Sequence, residues 1–399
     1  MSFYLAVSVA VALASLYLWK RLVLDARLPR AGLLAASLVL GCGAALLPLV
    51  RMFGQDRAPA ALRTWNFLAY AWMGVLFYAL VTRWLLELPL LLHRTLGWWR
   101  RRQPAANPHA PAATGPDLLS RRRALVRAAA GATVLGSAGA GIAGIRSALY
   151  ELATVTVPVR VPRLPAGLDG IRVVQISDLH VGPLLDEGFV RAVTGRVNAL
   201  RPDLVVVTGD VVDGPVHHLE ALVAPLGGLD ARWGTFFVTG NHEYYSGFEP
   251  WIQHFAKLGM RVLANERVAV GDAGPGGASF DLAGVHDWHG GRRNTSQAPD
   301  LDAALAGRDP ERALVLLAHQ PAQIDQAAAA GVGLQISGHT HGGQMWPFGA
   351  LTMLAQPYLR GLHQHAPGSQ IYVSSGTGFW GPPLRVFAPA EITELVLTV

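Results

Sequence analysis

The sequence predicts two unlike parts: a helical, membrane-embedded region over residues 1–150 and an α/β domain over residues 151–399. Three observations carry this reading. The chain of 399 residues is 51% hydrophobic, too apolar for an ordinary soluble protein. Its charge is divided, with 17 Lys and Arg against 4 Asp and Glu in residues 1–150 and 16 against 23 beyond them, so a basic part precedes a mildly acidic one. The second part alternates short β-branched runs with helical stretches, the pattern that builds a sheet covered by helices.

Crossing the hydrocarbon core of a bilayer takes about 20 mostly apolar residues. Four stretches qualify, near residues 3–19, 31–50, 65–82 and 126–148. The third continues past Arg83 into WLLELPLLL, with Trp65, Trp84, Trp98 and Trp99 spaced like interfacial anchors. In the fourth, Gly136, Ala140 and Gly144 repeat at four-residue spacing, which suits close helix packing in lipid. Residues 103–117, rich in Pro and Ala, read as a flexible linker. Cytoplasmic loops retain Lys and Arg. Lys20, Arg21, Arg27 and Arg30 separate the first two spans, and Arg94, Arg100, Arg101, Arg102, Arg121, Arg122 and Arg123 separate the last two. Both loops are therefore expected in the cytoplasm, although Arg51, Arg57 and Arg63 dilute the contrast. The expectation is a multi-pass inner-membrane protein with its second part outside the cytoplasm. SRRRALVRAAAGA also resembles a twin-arginine export signal through Arg122 and Arg123, a plain basic flank being the alternative. Because the basic residues flank apolar segments, the expected partner is a lipid bilayer and no nucleic acid. Cys42 is the only cysteine, which excludes an intrachain disulfide and a multi-thiolate metal site.

In the second part, helices are predicted over Asp186–Leu200, Val216–Leu226 and Glu249–Leu258, the last with Pro250 in its first turn. Five apolar runs end in side chains that bind metals. IRVVQIS runs into Asp178-Leu179-His180, DLVVVTG into Asp210 with Asp213 three residues on, and TFFVTG into Asn241-His242-Glu243. ALVLLA runs into His319, and LQISG into His339-Thr340-His341. In an open α/β sheet the carboxyl ends of the strands form the ligand crevice, so all five would meet there. Singly, each has a plainer reading: Asp after a strand is often a turn or cap residue, and a histidine before Pro321 can merely satisfy a loop. Together they offer carboxylates, an amide and imidazoles without a thiolate, a donor set suited to Mn, Fe, Zn or Co. Seven such groups exceed one tetrahedral site, and two divalent cations are the economical reading.

In this order, DLH, GDVVD, GNHE, the isolated His319 and GHTH resemble the motifs of the calcineurin-like metallophosphoesterases, over about residues 155–399. The longer forms GNHEYYSG, SGHTHGGQ and SSGTGFWGPP are similar to a membrane-attached bacterial branch of that family. The resemblance implies a four-layer sandwich, two packed sheets flanked by helices. It implies that Asp178, His180 and His341 hold one cation, that Asn241, His319 and His339 hold the other, and that Asp210 bridges them. His242 would steady the phosphoryl oxygens or protonate the leaving group, with Asp213 holding its imidazole. Glu243 receives no role. The sequence departs from related ones at His286-Asp287, where two acidic residues are common.

The expected function is a membrane-anchored, dinuclear metal-dependent hydrolase of a phosphomonoester, phosphodiester or pyrophosphate, acting through a metal-activated water. The alternative is a non-catalytic metal-binding membrane scaffold. Met345, Trp346, Phe348, Leu354, Tyr358, Phe379 and Trp380 lie near the metal motifs in sequence. Core packing is the plainer explanation of these apolar residues. The sharper one is a rim for a lipid-linked phosphate, and related proteins suggest a lipid or nucleotide-sugar substrate of lipid A synthesis.

Overall fold

The computed structural model describes residues 2–54, 62–101, 116–272 and 277–399. The predicted linker at 103–117 lies outside the described residues except at 116 and 117, as do Arg57 and Arg102. The chain divides into two compact units, whose boundary in the fourth helix falls between Ala143 and Gly144.

The first unit is built on helices α1 (Ser2–Trp19), α2 (Arg30–Gly54), α3 (Arg63–Arg101) and the greater part of α4 (Pro116–Tyr150). Each contains a stretch long and apolar enough to cross a membrane: Leu5–Leu24, which continues past the end of α1, Arg30–Val50, Arg63–Pro89 and Arg123–Tyr150. α3 stays a single helix through Pro89, so WLLELPLLL continues the third span and does not leave it. Charges inside this region gather on Glu87, while the buried polar atoms of Ser15, Trp72 and Tyr78 have no hydrogen-bond partner among the described residues. Arg83 lies 2.6 Å from Glu87, and Arg21 and the Tyr17 hydroxyl reach the same carboxylate, each at 3.1 Å. Gly43 faces the Trp72 indole so closely that any Cβ would overlap it. On α4 the buried stripe runs through Thr133, Ser137, Gly141, Gly144 and Ala148. Of the predicted Gly136/Ala140/Gly144 line, Gly144 lies on this stripe and Gly136 packs closely on α3, where a Cβ would be 3.1 Å from Thr82, while Gly141, off that line, meets Val75 of α3.

Among the described residues the second unit contains twelve strands. The first sheet is formed by β1 (Leu152–Arg160), β2 (Ile171–Ile176), β3 (Leu204–Val207), β4 (Thr235–Phe237), β5 (Met260–Val262) and β12 (Ala390–Thr398), ordered β1-β12-β2-β3-β4-β5. The second is formed by β6 (Glu266–Gly271), β7 (Ser279–Gly284), β8 (Leu314–Leu317), β9 (Leu334–Ser337), β10 (Gly361–Ala366) and β11 (Ser369–Val373), ordered β10-β11-β9-β8-β7-β6. β2, β3, β4 and β5 run parallel, as do β7, β8 and β9.

Alternation along each strand makes the layers. Val173, Val206, Phe236, Leu282, Val315, Leu334 and Ile336 point between the sheets and form one core. Val174, Val205, Val207 and Phe237 point the other way, onto α5 (Glu187–Ala199), α6 (Val216–Val223) and the later helix α8 (Phe248–Lys257). Ala283, Leu314 and Leu316 of the second sheet are covered by the segments around Ala304 and Ile324. Helices, sheet, sheet and helices give the four-layer sandwich. Asp186 caps α5 by accepting a hydrogen bond from Phe189 N at 3.1 Å. α6 stops at Val223, short of the predicted Leu226, where Pro225 turns the chain into a 3₁₀ helix.

Candidate metal centre

All five motif loops leave the carboxyl ends of parallel strands. Asp178 and His180 follow β2, Asp210 and Asp213 follow β3, and Asn241 and His242 begin α7 (Asn241–Ser246) after β4. His319 follows β8, while His339 and His341 follow β9, so both sheets contribute. The loops turn too sharply for ordinary backbone. Asp178, His180, Asp210, His339 and His341 have φ of +54°, +49°, +53°, +71° and +51°, a left-handed region in which Asp and His occur more readily than β-branched residues. Glycines allow the approach. A Cβ on Gly240 would overlap the Asp210 carboxylate, and one on Gly338 would overlap that of Asp178.

The seven candidate ligands predicted from sequence come together, save that no distance fixes Asn241 beyond its place beside His242, whose backbone N–H donates to Asp210 Oδ1 at 2.8 Å. On one side, Asp178, His180 and His341 present one atom each within 4.8 Å of one another. On the other, Asp210, His319 and His339 do the same. Asp210 stands between them, its Oδ2 at 3.2 Å from His319 Nε2 and 3.8 Å from His180 Nε2.

The donor chemistry fits cations. His319 Nδ1 lies 2.7 Å from the Thr208 carbonyl, which can only accept, so Nδ1 carries a proton and Nε2 is the ligand atom; burial opposes charge, but Asp210 lifts this imidazole well above its usual range, so a cation would displace the Nε2 proton. His180 Nδ1 is given to Asp213 at 3.0 Å, which likewise leaves Nε2 as a ligand atom. These nitrogens face other imidazoles: His180 Nε2 lies 3.0 Å from His341 Nε2, and His319 Nε2 lies 3.2 Å from His339 Nδ1. The Oδ1 of Asn241 is buried without a hydrogen-bond partner, a costly state for a lone amide oxygen and an ordinary one for a ligand.

Electrostatics point the same way. Burial, then repulsion by His319, holds His339 down to about 4. Burial, then His180 and Arg385, keeps His341 well below the usual range. Both imidazoles are thus neutral, the form that binds metal. Burial and the neighbouring Asp210 raise Asp178. For His242 burial opposes charge, but Asp210 and Asp213 outweigh it and lift the imidazole to about 9. His242 Nδ1 lies 2.6 Å from Asp213 Oδ1, the same oxygen that receives His180 Nδ1.

Three buried residues had no role assigned from the sequence. Glu243 accepts from the backbone N–H of Gly240, Asp210 and Val211 at 2.7, 3.0 and 2.8 Å, and so ties the β4 loop to the β3 loop. Burial and Asp210 push its carboxyl up to about 7. Arg385, 1% exposed, donates to the carbonyls of Ser375, Gly378, Ala388 and His341. Asp287 is fully buried, accepts from Gln320 Nε2 at 2.9 Å and contacts His289 Nδ1 at 3.2 Å, which gives the divergent His286-Asp287 loop a place beside the site. Glu243 had a signal, since Glu three residues after a helix-starting Gly240 is a capping pattern. Arg385 and Asp287 had none, because their partners are distant in sequence.

Of the apolar residues near the motifs, Phe379 is buried as predicted, whereas Trp346, Phe348, Leu354 and Trp380 are exposed, so core packing does not account for them.

A model of the calcineurin-like phosphoesterase family matches residues 171–343, a span containing every candidate ligand. An uncharacterized metallophosphoesterase of Aquifex aeolicus is 35% identical over 249 residues, which are 62% of this chain and 92% of the relative. The chain belongs to the calcineurin-like phosphoesterase family. An uncharacterized metallophosphoesterase of Helicobacter pylori is 43% identical over 228 residues, 57% of this chain and 60% of that protein. A Bos taurus protein named transmembrane protein with metallophosphoesterase domain is 39% identical over 263 residues, 64% of this chain and 59% of the relative. The match thus spans about 60% of the length of these last two. The family typically uses a dimetal centre, for which the His and Asp groups here are suited.

Proposed function

We propose that residues 151–399 form a dinuclear phosphoesterase anchored to a membrane by the helices of residues 1–150. The observation that carries the reading is the pair of imidazole–imidazole approaches, 3.0 and 3.2 Å, on either side of the Asp210 carboxylate. Asp178, His180 and His341 would hold one cation, Asn241, His319 and His339 the other, and Asp210 both. Two divalent ions of the Mn, Fe, Zn or Co class, when bound, supply a water of lowered pKa and charge to stabilise an in-line displacement at phosphorus.

The protein's own residues supply the rest. With Nδ1 given to Asp213, His242 keeps Nε2 for a leaving oxygen, and its partly exposed ring is accessible to substrate. Asp213 holds that tautomer and orientation and the same for His180. The substrate class is a phosphomonoester, phosphodiester or pyrophosphate carried by a lipid. Exposed Trp346 and Leu354, close in sequence to His341, support this apolar character. The positive-inside distribution supports a site outside the cytoplasm, held at an inner membrane. That position disfavours a cytoplasmic nucleotide sugar as substrate.

The test is His242→Asn, read by metal content and by turnover of aryl and alkyl phosphodiesters with Mn. Both cations should stay bound while turnover of the alkyl ester falls by about 10²- to 10⁴-fold. The deficit should shrink for a nitrophenolate, which needs no proton to depart. An emptied metal site, or an equal deficit for both esters, refutes the acid role. Absence of hydrolysis by the unaltered protein favours the scaffold alternative.

A further inference from the structure

The segment after His341 is unlike the rest of the second unit. Residues 342–359 hold no charged side chain. Trp346, Phe348, Leu351, Met353 and Leu354 are all exposed, Leu354 at 84%. Phe387, at 77%, joins them from another loop. The two loops are fastened together. Trp346 N donates to the Val386 carbonyl at 3.2 Å, Val386 N donates to that of Gln344 at 2.9 Å, and the Trp346 and Phe387 rings meet edge-on at 6.3 Å. The result is one held, mainly apolar surface with Arg360 at its edge, larger than scattered exposed residues would make.

We propose that this surface seats in the lipid bilayer, as a second attachment besides the four helices. The occupant follows from what the same loops touch. Arg385 N donates to the Gly144 carbonyl at 2.9 Å, and Leu384 and Val386 lie so near Gly144 that a Cβ there would be 3.0 to 3.3 Å from them. Ala148 is buried with Leu185 and Phe379. Gly144 and Ala148 belong to the last turns of the apolar stretch Arg123–Tyr150. Its 28 residues extend about 42 Å at 1.5 Å each, more than the roughly 30 Å of a hydrocarbon core. The final turns therefore lie at the membrane–water boundary, and the 384–387 loop packed on them lies at the same depth. Trp and Phe are the residues that settle there, and the charge at the edge, exposed Arg360, which donates to the Phe387 carbonyl at 2.8 Å, has the sign that lipid phosphates attract and a stem long enough to keep its head at the boundary. Trp346 is five residues beyond His341, so the docked loop is continuous with the candidate metal loop. The inference rests on the membrane reading of the helices and not on the phosphoesterase reading.

The test places single cysteines in a Cys42→Ser background of the full-length chain, reconstituted in nanodiscs and labelled with an environment-sensitive fluorophore. Leu354→Cys and Phe387→Cys report the surface, Leu135→Cys the middle of α4, and Asp230→Cys an exposed loop before β4. The expected result is loss of emission to doxyl lipids and protection from iodide at 354, 387 and 135, with the reverse at 230. Quenching of 354 and 387 by iodide but not by doxyl lipid, with 135 still lipid-quenched, overturns the proposal alone. Failure at 135 as well overturns the membrane reading beneath it. Shielding from both quenchers that vanishes when each disc holds one chain assigns the surface to a second copy and also overturns the proposal.

Discussion

Asp213→Asn tests the coupling between the proton donor and the metal site. Both imidazoles reach a single oxygen, Oδ1, at 2.6 Å from His242 and 3.0 Å from His180. An asparagine can keep that oxygen in place, so the substitution removes charge and leaves geometry. A hydrogen bond to a charged group contributes about 1.5–3 kcal/mol and a neutral one about 0.5–1.5. Each contact therefore loses about 1 kcal/mol, and the two losses appear in different measurements. The His242 share should lower turnover of an alkyl phosphodiester by about five- to tenfold and leave a nitrophenyl ester nearly unaffected. The His180 share should weaken one cation by about tenfold, read by competition with a chelator and metal analysis. Loss of the carboxylate should also move the alkaline limb of the rate profile to lower pH, since Asp213 is one of three groups, with Asp210 and Glu243, that raise His242. In a His242→Asn background, Asp213→Asn should cost little further turnover, because its effect passes through the missing ring. Full additivity in the double variant, or an equal loss for both esters, would refute the coupling.

Gly240→Ala should displace the Asp210 carboxylate, and metal analysis should find lowered occupancy together with at least about a tenfold loss of activity. Phe255→Ala removes a ring stacked on Trp251 and packed 4.7 Å from Phe237, and should lower stability by about 3–5 kcal/mol in denaturant titrations while bound metal persists in the folded fraction. In the chelated protein His242 has a folded pKa of about 9, above the 6.5 of a free imidazole, so its stabilising contribution is full below pH 6.5 and fades as pH rises through 9. Denaturation midpoints of the chelated protein should fall across that window, and fall less for His242→Asn. Alkaline phosphatase fused after Val399 should be active and a cytoplasm-dependent fluorescent protein dark, and the opposite pattern would require an odd number of spans.

Much of this was readable from the chain because its signals are local. Strand ends such as QIS before Asp178 and VTG before Asp210 and Asn241 announce the crevice, since β-branched runs and the residues that end them are neighbours in sequence. Pairings between sheets are not local. Nothing near Arg385 indicates that it lies beside His341, because the loops that follow β9 and β11 are brought together by the pairing of those two strands. Asp213 was legible as a partner of His242 but not of His180, since that contact depends on the register of β2 beside β3. The exposure of Leu354 was illegible for another reason. An uncharged apolar run reads the same whether it faces a protein core or lipid.

Five of the seven residues assigned to the cations sit in left-handed backbone, at a cost of about 1 kcal/mol or more apiece that the surrounding sheets must offset. Evolution under heat alone would therefore not be neutral toward this centre. Glycine at Asp178 or His339 would relieve the turn and abolish the ligand, so a population selected only for folding should discard its chemistry first and keep its architecture. Thermally hardened descendants without activity would then carry their substitutions in these loops, ahead of any in the core between the sheets.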